Sequence, residues 1–253
     1  MLSGAAIGLL VGLTGVGGGS LMTPVLILLF GLHPASAVGA DLLYASATKA
    51  VGTGVHAAGR TVDWALVRLM ALGSVPATLL TLTAMKLTGL GGEKSSHGLS
   101  VALGFVLLLT AAALLFRDPL LRLARAPEGR TRRPNATAAL TVALGAVLGV
   151  LITLTSVGAG ALGVTLLVFL YPRMPIARVV GSDIVHAVPL TLIAGVGHWW
   201  MGSVDLSLVA SLLMGSIPGV IVGGLLAPRT PERVLRPILA AVLVLVGWKL
   251  AFK

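Results

Sequence analysis

Hydrophobic residues along this chain are gathered into eight long runs, which short polar or charged turns separate. The runs are continuous and do not alternate with polar residues, so they predict membrane helices and argue against the strands of a transmembrane β-barrel. Six of the runs have the length of one bilayer crossing, which needs about 20 apolar residues. The runs cover residues 2–31, 34–58, 62–87, 98–116, 137–171, 175–200, 204–226 and 234–252.

The first and fifth runs are too long for one straight crossing, and glycines interrupt both near the middle, at residues 15–19 and 157–160. A broken helix leaves backbone N–H groups that must find a partner or a cavity inside the membrane. Glycine also lets a ligand approach the backbone closely. Each of these runs is therefore predicted to be a Gly-broken helix or a re-entrant hairpin whose apex lies inside the membrane.

Composition narrows the class of protein. Of the 253 residues, 57% are hydrophobic before glycine is counted and only 10% are charged, against a usual charged share of about 25%. This excludes a soluble globule and a disordered chain. The net charge of +10 does not indicate nucleic acid, because six of the 18 basic residues lie between Arg117 and Arg133. A basic loop between apolar runs is typical of the cytoplasmic side of a bacterial inner-membrane protein.

The two halves of the chain match each other. Residues 39–76 and 181–218 are identical at 11 of 38 positions, and the shared residues include Asp41 with Asp183 and His56 with His198. We infer a duplication, with a first repeat at 1–116, a basic loop at 117–136 and a second repeat at 137–253. Each repeat holds one glycine-interrupted run followed by three transmembrane helices.

Arginine distribution favours inverted repeats. If the 117–133 loop and the arginines near 229–236 are cytoplasmic, the run at 137–171 starts and ends on the same side and makes no net crossing. By analogy the run at 2–31 is also a hairpin. Residues 1–19 lack the positive start and cleavage site of a signal peptide, so they are interpreted as membrane segment. The alternative is eight single crossings in two parallel repeats.

Inverted repeats with interrupted helices are typical of secondary transporters that bind substrate near the membrane midplane. Helix starts at the breaks direct N–H groups and a positive dipole end toward the opening, which suits an anion. Lys49 lies in the middle of its run, where a charge is costly unless it faces a cavity or pairs with a carboxylate. The residues predicted to bind substrate are Gly17, Gly18, Gly19, Lys49, Gly158, Ala159 and Gly160.

Five further residues are candidates for proton or ion coupling. Asp41 and Asp183 lie inside their runs, where they are proton carriers, partners of Lys49, or hydrogen-bonding groups near the apex. His186 follows Asp183 by three residues on the same helical face, and His56 and His198 lie near the ends of their runs as coupling or interfacial residues. Asp63 and Asp205 follow turns and are predicted to cap helices. The histidines do not cluster as metal ligands do, the chain has no cysteine, and no cofactor is expected.

These motifs resemble the sulfite exporter TauE/SafE family, described as anion permeases built from duplicated membrane segments. The resemblance rests on the Gly-Gly-Gly-x-Leu-x-x-Pro stretch at 17–24, the Gly-Ala-Asp at 39–41, His56, the turn at 59–64 and the second glycine motif at 157–160. The second half departs from the first at Ala159 and Thr165, which stand where the first half has Gly18 and Pro24. The resemblance implies transport of sulfite, organosulfonates or related sulfur oxyanions.

The sequence therefore predicts an all-α polytopic membrane protein that transports small anions across a bacterial inner membrane, with the lipid bilayer and a small anion as its partners. The alternatives are a carrier or channel for another small organic anion and a non-transporting membrane scaffold. An enzyme is not expected, because Ser156 has neither the setting of a nucleophile nor a histidine partner. Substrate, direction, coupling ion and homo-oligomerisation are left open.

Overall fold

The computed structural model describes residues 4–5, 8–9, 19–28, 30–58, 61–89, 96–116, 119, 134–158, 160–226 and 232–252. Regular structure in these residues is helical throughout, which confirms the predicted all-α class. The helices of at least ten residues are α1 Gly19–Leu28, α2 Pro34–Ala58, α3 Trp64–Thr88, α4 Ser96–Leu115, α5 Pro134–Thr155, α6 Ala161–Leu170, α7 Ile176–Trp200, α8 Leu206–Leu226 and α9 Glu232–Ala251. Most of the basic loop predicted at 117–136 lies outside the described residues.

Five of the described helices are long and apolar enough to cross a membrane: Trp64–Thr88, His97–Leu115, Asn135–Thr155, Ile176–Trp200 and Leu206–Gly223. Their lengths match a hydrocarbon core about 30 Å thick at 1.5 Å per residue. The outer surface carries large apolar side chains, such as Leu80 and Leu87 with 71% and 82% of their area exposed. Buried aspartates, histidines and threonines lie inside, which is the polarity of a membrane protein.

Small residues bring helices into close contact. On α5, Gly145 lies against the Met70 carbonyl of α3 and Gly149 against the Ser74 carbonyl, so a side chain at either glycine would collide with backbone. Gly4 and Gly8 pack on α8 in the same way, against the Leu212 and Ser216 carbonyls. Close backbone approach through small residues is a usual way to pack membrane helices.

The fifth hydrophobic run divides into two helices that form a hairpin. Helix α5 ends at Thr155, and the following break contains three residues with positive φ: Ser156 at +58°, Gly158 at +128° and Gly160 at +106°. Helix α6 then returns along α5, because the Tyr171 hydroxyl lies 2.8 Å from the Thr141 hydroxyl near the start of α5. The chain thus enters and leaves this element on one side of the bundle.

Helices at corresponding positions of the two halves pack against each other and run in opposite directions. Gly39 of α2 lies against His198 of α7, whereas Leu43, one turn later, lies against Gly195, one turn earlier. Helices α4 and α9 meet in the same antiparallel way at Gly104 and Gly247. This arrangement supports the inverted repeats, which remain a prediction.

Candidate functional site

Asp41 lies at the centre of the molecule with no exposed area. Its Oδ2 accepts a hydrogen bond from the Thr23 backbone N–H at 3.2 Å and a short one from the Thr23 hydroxyl. Thr23 belongs to α1, which follows the first glycine motif, and α1 packs against α2. The first half of the chain therefore places a carboxylate against donors of its short helix.

Asp183 is arranged similarly in the second half and is 1% exposed. Its Oδ2 accepts the backbone N–H of Gly160 at 2.9 Å, at the residue that precedes α6. Its Oδ1 lies over Gly163, where a Cβ would collide with it. The N-terminal end of α6 carries unpaired N–H groups and a positive dipole end, so this helix start holds an anion that belongs to the protein itself.

Each carboxylate also has an oxygen without a hydrogen-bond partner. Oδ1 of Asp41 and Oδ1 of Asp183 are both inaccessible to solvent and accept no hydrogen bond. Buried polar atoms are hydrogen-bonded in the great majority of cases, and an unpaired charged atom is especially costly. Two such oxygens at corresponding positions indicate a site that another group completes.

Lys49 lies two helical turns after Asp41 on α2 and is 9% exposed. Residues eight apart on a helix lie about 12 Å apart along its axis and close to one face, so the flexible stem can direct the ammonium toward the middle of the bundle. The ammonium interacts electrostatically with Asp183 first and with Asp41 second. Among the described residues it forms no ion pair within 4.0 Å. Lys49 therefore serves both carboxylates without a tight bond to either.

A second layer of polar side chains flanks the carboxylates. His186 follows Asp183 on α7 as predicted, but its hydrogen-bond partner is not the aspartate. Its Nε2 lies 2.8 Å from the Ser74 hydroxyl of α3. The positions that align with His186 and Ser74 are Tyr44 and Ser216, whose buried hydroxyls face each other without reaching the geometry of a hydrogen bond. The two aligned pairs therefore differ in chemistry.

His198 holds the end of the broken helix. Its Nε2 lies 2.9 Å from the Thr153 carbonyl in the last turn of α5, and the Val157 N–H that would otherwise bond that carbonyl bonds the Thr155 hydroxyl at 3.2 Å. Since a carbonyl only accepts, Nε2 carries the hydrogen. His198 has no exposed area, so its side chain lies inside the bundle, and its predicted coupling or interfacial role stays a prediction.

The structure brings several predicted site residues together. Lys49, Asp41, Asp183 and Gly160 form one cluster at the α1, α2, α6 and α7 contacts, and Gly158 lies buried in the adjacent break. Gly19 begins α1. Gly17, Gly18, Ala159 and the side chain of His56 lie outside the described residues.

Sequence reasoning missed four residues of the cluster: Thr23, Ser74, Ser156 and Gly163. Ser74 was recoverable, because it aligns with Ser216 in the duplicated stretch. The Ser156 hydroxyl lies towards Asp41, has no hydrogen-bond partner and belongs to a residue with positive φ, an uncommon backbone state for serine. No sequence signal marks that conformation.

Metal ligands are not assembled in the described part of the chain, where no three His, Cys, Asp or Glu side chains are grouped to hold an ion. What the site offers is one ammonium, two carboxylates and several hydroxyl and backbone N–H groups. Such a set can bind and release a small ion and move a proton.

Comparison with known proteins gives a consistent result. The family model described as sulfite exporter TauE/SafE matches residues 1–250. A "Probable membrane transporter protein YjnA" from Bacillus subtilis (strain 168) is 40% identical over 250 residues, which cover 99% of this chain and 98% of the relative. A "Probable membrane transporter protein" from Xylella fastidiosa (strain 9a5c) is 28% identical over 98% of this chain and 93% of the relative. No solved structure was found to match the chain.

Proposed function

This chain belongs to the sulfite exporter TauE/SafE family and is a multi-pass membrane transporter, and from that premise we propose that it carries small anions, sulfite or organosulfonates, across a bacterial inner membrane. Transport is secondary, driven by an ion or substrate gradient. The binding site is the cluster around Lys49 near the midplane, between the two halves of the chain.

The observation that carries this proposal is the environment of Lys49. A buried ammonium without a tight partner keeps its charge available to an incoming anion, and charge-assisted hydrogen bonds to oxyanions are among the stronger polar contacts. The N-terminal end of α6, where the Gly160 N–H bonds Asp183, adds a positive dipole end that favours the same anion. Both lie in a part of the bundle where lipid-facing side chains are far away and fixed donors can replace water.

The glycines at the apex support the same site. Gly158 has a φ of +128° and is buried, a backbone state that only glycine adopts readily. The break leaves the N-terminal end of α6 open toward Asp183. An oxyanion bound beside Lys49 would lie close to this helix start, whose positive dipole end favours a negative charge.

Flux into proteoliposomes tests the proposal. Purified protein is reconstituted, and uptake of labelled sulfite and labelled methanesulfonate is measured with and without the same unlabelled anion inside. We expect uptake above protein-free vesicles and acceleration by internal anion, which a carrier shows and a channel does not. Absence of both fluxes would refute anion transport and leave the scaffold alternative.

Variants at Lys49 connect the flux with the site. Lys49→Met keeps the length and apolar character of the stem and removes the charge, so anion affinity is expected to fall at least tenfold. Lys49→Arg keeps the charge with altered geometry and is expected to retain part of it. Lys86→Met is the matched control, because Lys86 is exposed at the end of α3 and lies over the Trp200 ring.

A structural role for Lys49 predicts a different outcome. If the lysine only neutralises Asp41 or Asp183, Lys49→Met lowers thermal stability, and adding the matching Asp→Asn change restores both stability and transport. That rescue would contradict the assignment of Lys49 to anion binding.

A further inference from the structure

The buried cluster is electrically unbalanced. Asp41 and Asp183 are 0% and 1% exposed and Lys49 is 9% exposed, so two carboxylates and one ammonium leave one net negative charge away from bulk water. The other described titratable groups beside the cluster are Tyr44 of α2, next to Asp41, and His186 of α7, next to Lys49. A neutral tyrosine and a neutral histidine add no charge to the balance. Thr23 of α1, Ser216 of α8 and Ser156 of the break add only hydroxyl groups.

The net negative charge of the cluster opposes binding of an anion. The inference drawn from this rests on the proposed function, which is anion transport. A monovalent anion would double the net negative charge of the cluster. Unpaired charge in the interior is expensive, and the donor at Gly160 is already engaged by Asp183. One proton taken up by a carboxylate returns the loaded site to the charge of the empty one.

The two carboxylates differ in their capacity to hold that proton. Lys49 interacts more strongly with Asp183 than with Asp41, which favours an ionised Asp183. Oδ1 of Asp183 packs against Gly163, and its Oδ2 accepts the Gly160 N–H at the N-terminal end of α6, whose dipole favours the ionised carboxylate. The Ser156 hydroxyl lies beside the Asp41 carboxylate and has no other hydrogen-bond partner. Because a hydroxyl both donates and accepts, it can donate to the ionised carboxylate and turn to accept from the protonated one.

We propose that each anion crosses together with one proton, which is carried on Asp41 while Asp183 stays ionised as the partner of Lys49. The carboxylate of Asp41 takes a proton from water on the side to which the site is open, which forms one O–H bond with Ser156 as acceptor. When the site opens to the other side, that O–H bond breaks and the proton leaves to water with the anion. No other bond is made or broken.

Methanesulfonate is the probe for the flux test, because it stays fully ionised and carries no proton of its own. Its uptake is measured in proteoliposomes that contain a pH-sensitive dye. We expect the wild type to acidify the interior by one proton per anion, and its affinity for methanesulfonate to rise about tenfold for each unit that the external pH falls while Asp41 is ionised.

An isosteric variant tests the proton carrier. Asp41→Asn removes the group that takes the proton, so the methanesulfonate uptake that it retains should occur without acidification and without dependence on pH. Asp205→Asn, at an exposed helix cap outside the cluster, is the matched control and should keep both uptake and acidification. Wild-type uptake without acidification, acidification retained in Asp41→Asn, or uptake that follows a sodium gradient at constant pH would each overturn the proposal.

An infrared titration supplies a readout that needs no substrate. Acidification of the purified protein is expected to produce the carbonyl stretch of a protonated carboxyl, which Asp41→Asn removes and Asp183→Asn keeps. Loss of that band in Asp183→Asn alone, or no band in the wild type, would contradict the assignment. If the wild type carries neither sulfite nor methanesulfonate, the proposed function fails, and the infrared result alone decides whether Asp41 takes the proton.

Discussion

The two halves of this molecule share a framework and differ in chemistry. Gly145 meets the Met70 carbonyl in one place as Gly4 meets the Leu212 carbonyl in the other, and each half directs one aspartate at a donor of its short helix. These shared positions concern backbone contact and the placing of a carboxylate. At the two glycines a Cβ would collide with the backbone of the neighbouring helix.

The differences are concentrated beside the carboxylates. Lys49 of the first half corresponds to Thr191 of the second, whose hydroxyl bonds the Ala187 carbonyl of its own helix at 2.8 Å. Tyr44 corresponds to His186, and only the histidine forms a hydrogen bond of ordinary geometry to its serine. The aligned positions thus carry one cation and one histidine that have no counterpart in the other half.

The largest effect is expected where the framework is broken. Gly145→Leu places side-chain atoms in the Met70 backbone and should destabilise the protein by about 3 kcal/mol. Gly4→Leu should do the same in the other half. Melting in detergent measures both, and Gly98→Leu is the control because nothing lies within 4 Å of a Cβ there. Equal melting of Gly145→Leu and Gly98→Leu would mean that α3 and α5 do not meet as described.

Moving the cation between the halves is the next test. Lys49→Thr makes the halves alike and should weaken anion affinity by roughly ten- to a hundredfold, since a charged hydrogen bond contributes about 1.5–3 kcal/mol. Adding Thr191→Lys returns a cation to the corresponding place and should recover part of the affinity. The concentration dependence of sulfite uptake measures both changes. Unchanged affinity in Lys49→Thr would remove the cation from the binding site.

The flanking serines should respond unequally. Ser74→Ala leaves His186 Nε2 without its partner in a buried place and should cost about 1–3 kcal/mol. Ser216→Ala removes a hydroxyl that faces the Tyr44 hydroxyl without the geometry of a hydrogen bond, so its cost should stay below about 1 kcal/mol. Thermal unfolding of the two single variants compares them directly, and a larger loss in Ser216→Ala would reverse the assignment of the hydrogen-bonded layer.

The smallest effect concerns the helix caps. Asp63 accepts the Ala65 and Leu66 N–H groups, both at 3.1 Å, and Asp63→Ala should cost about 1 kcal/mol. Hydrogen bonds from the Ser207 hydroxyl and N–H hold the pKa of Asp205 below its usual 3.8. The stability that this carboxylate adds is therefore present above that value and is lost as the pH falls below it. The melting difference between wild type and Asp205→Asn should shrink from pH 7 to pH 3.

Much of the fold was predictable because lipid imposes one rule on every span. Continuous apolar runs predicted the described helices closely, and Asp63 caps α3 as the turn before Trp64 predicted. The break at 156–160 was predicted from glycine. That α6 returns along α5 was one of two alternatives, and the contact of Tyr171 with Thr141 distinguishes them.

The sequence predicted which residues form the site, but it did not predict their hydrogen-bond partners. Asp41, Asp183 and Lys49 were predicted as site residues because a charged side chain inside a membrane is costly unless it is paired or faces a cavity. The donor that hydrogen-bonds each carboxylate depends on the position of the short helices α1 and α6 along α2 and α7. No residue pattern in the sequence determines that position. His198 shows the same limit, since its bond to the Thr153 carbonyl depends on a contact between distant helices.

The contact of Gly4 and Gly8 with α8 can form only late during synthesis of the chain. Gly4 and Leu212 are 208 positions apart, so at about 5–20 residues per second the ribosome needs roughly ten to forty seconds to supply the partner of the first segment. Until α8 is inserted, the glycine face of the first segment contacts lipid or the insertion machinery. The first segment therefore packs late in assembly. A chain truncated before α8 lacks the surface that covers this segment, which leaves the segment accessible to membrane proteases.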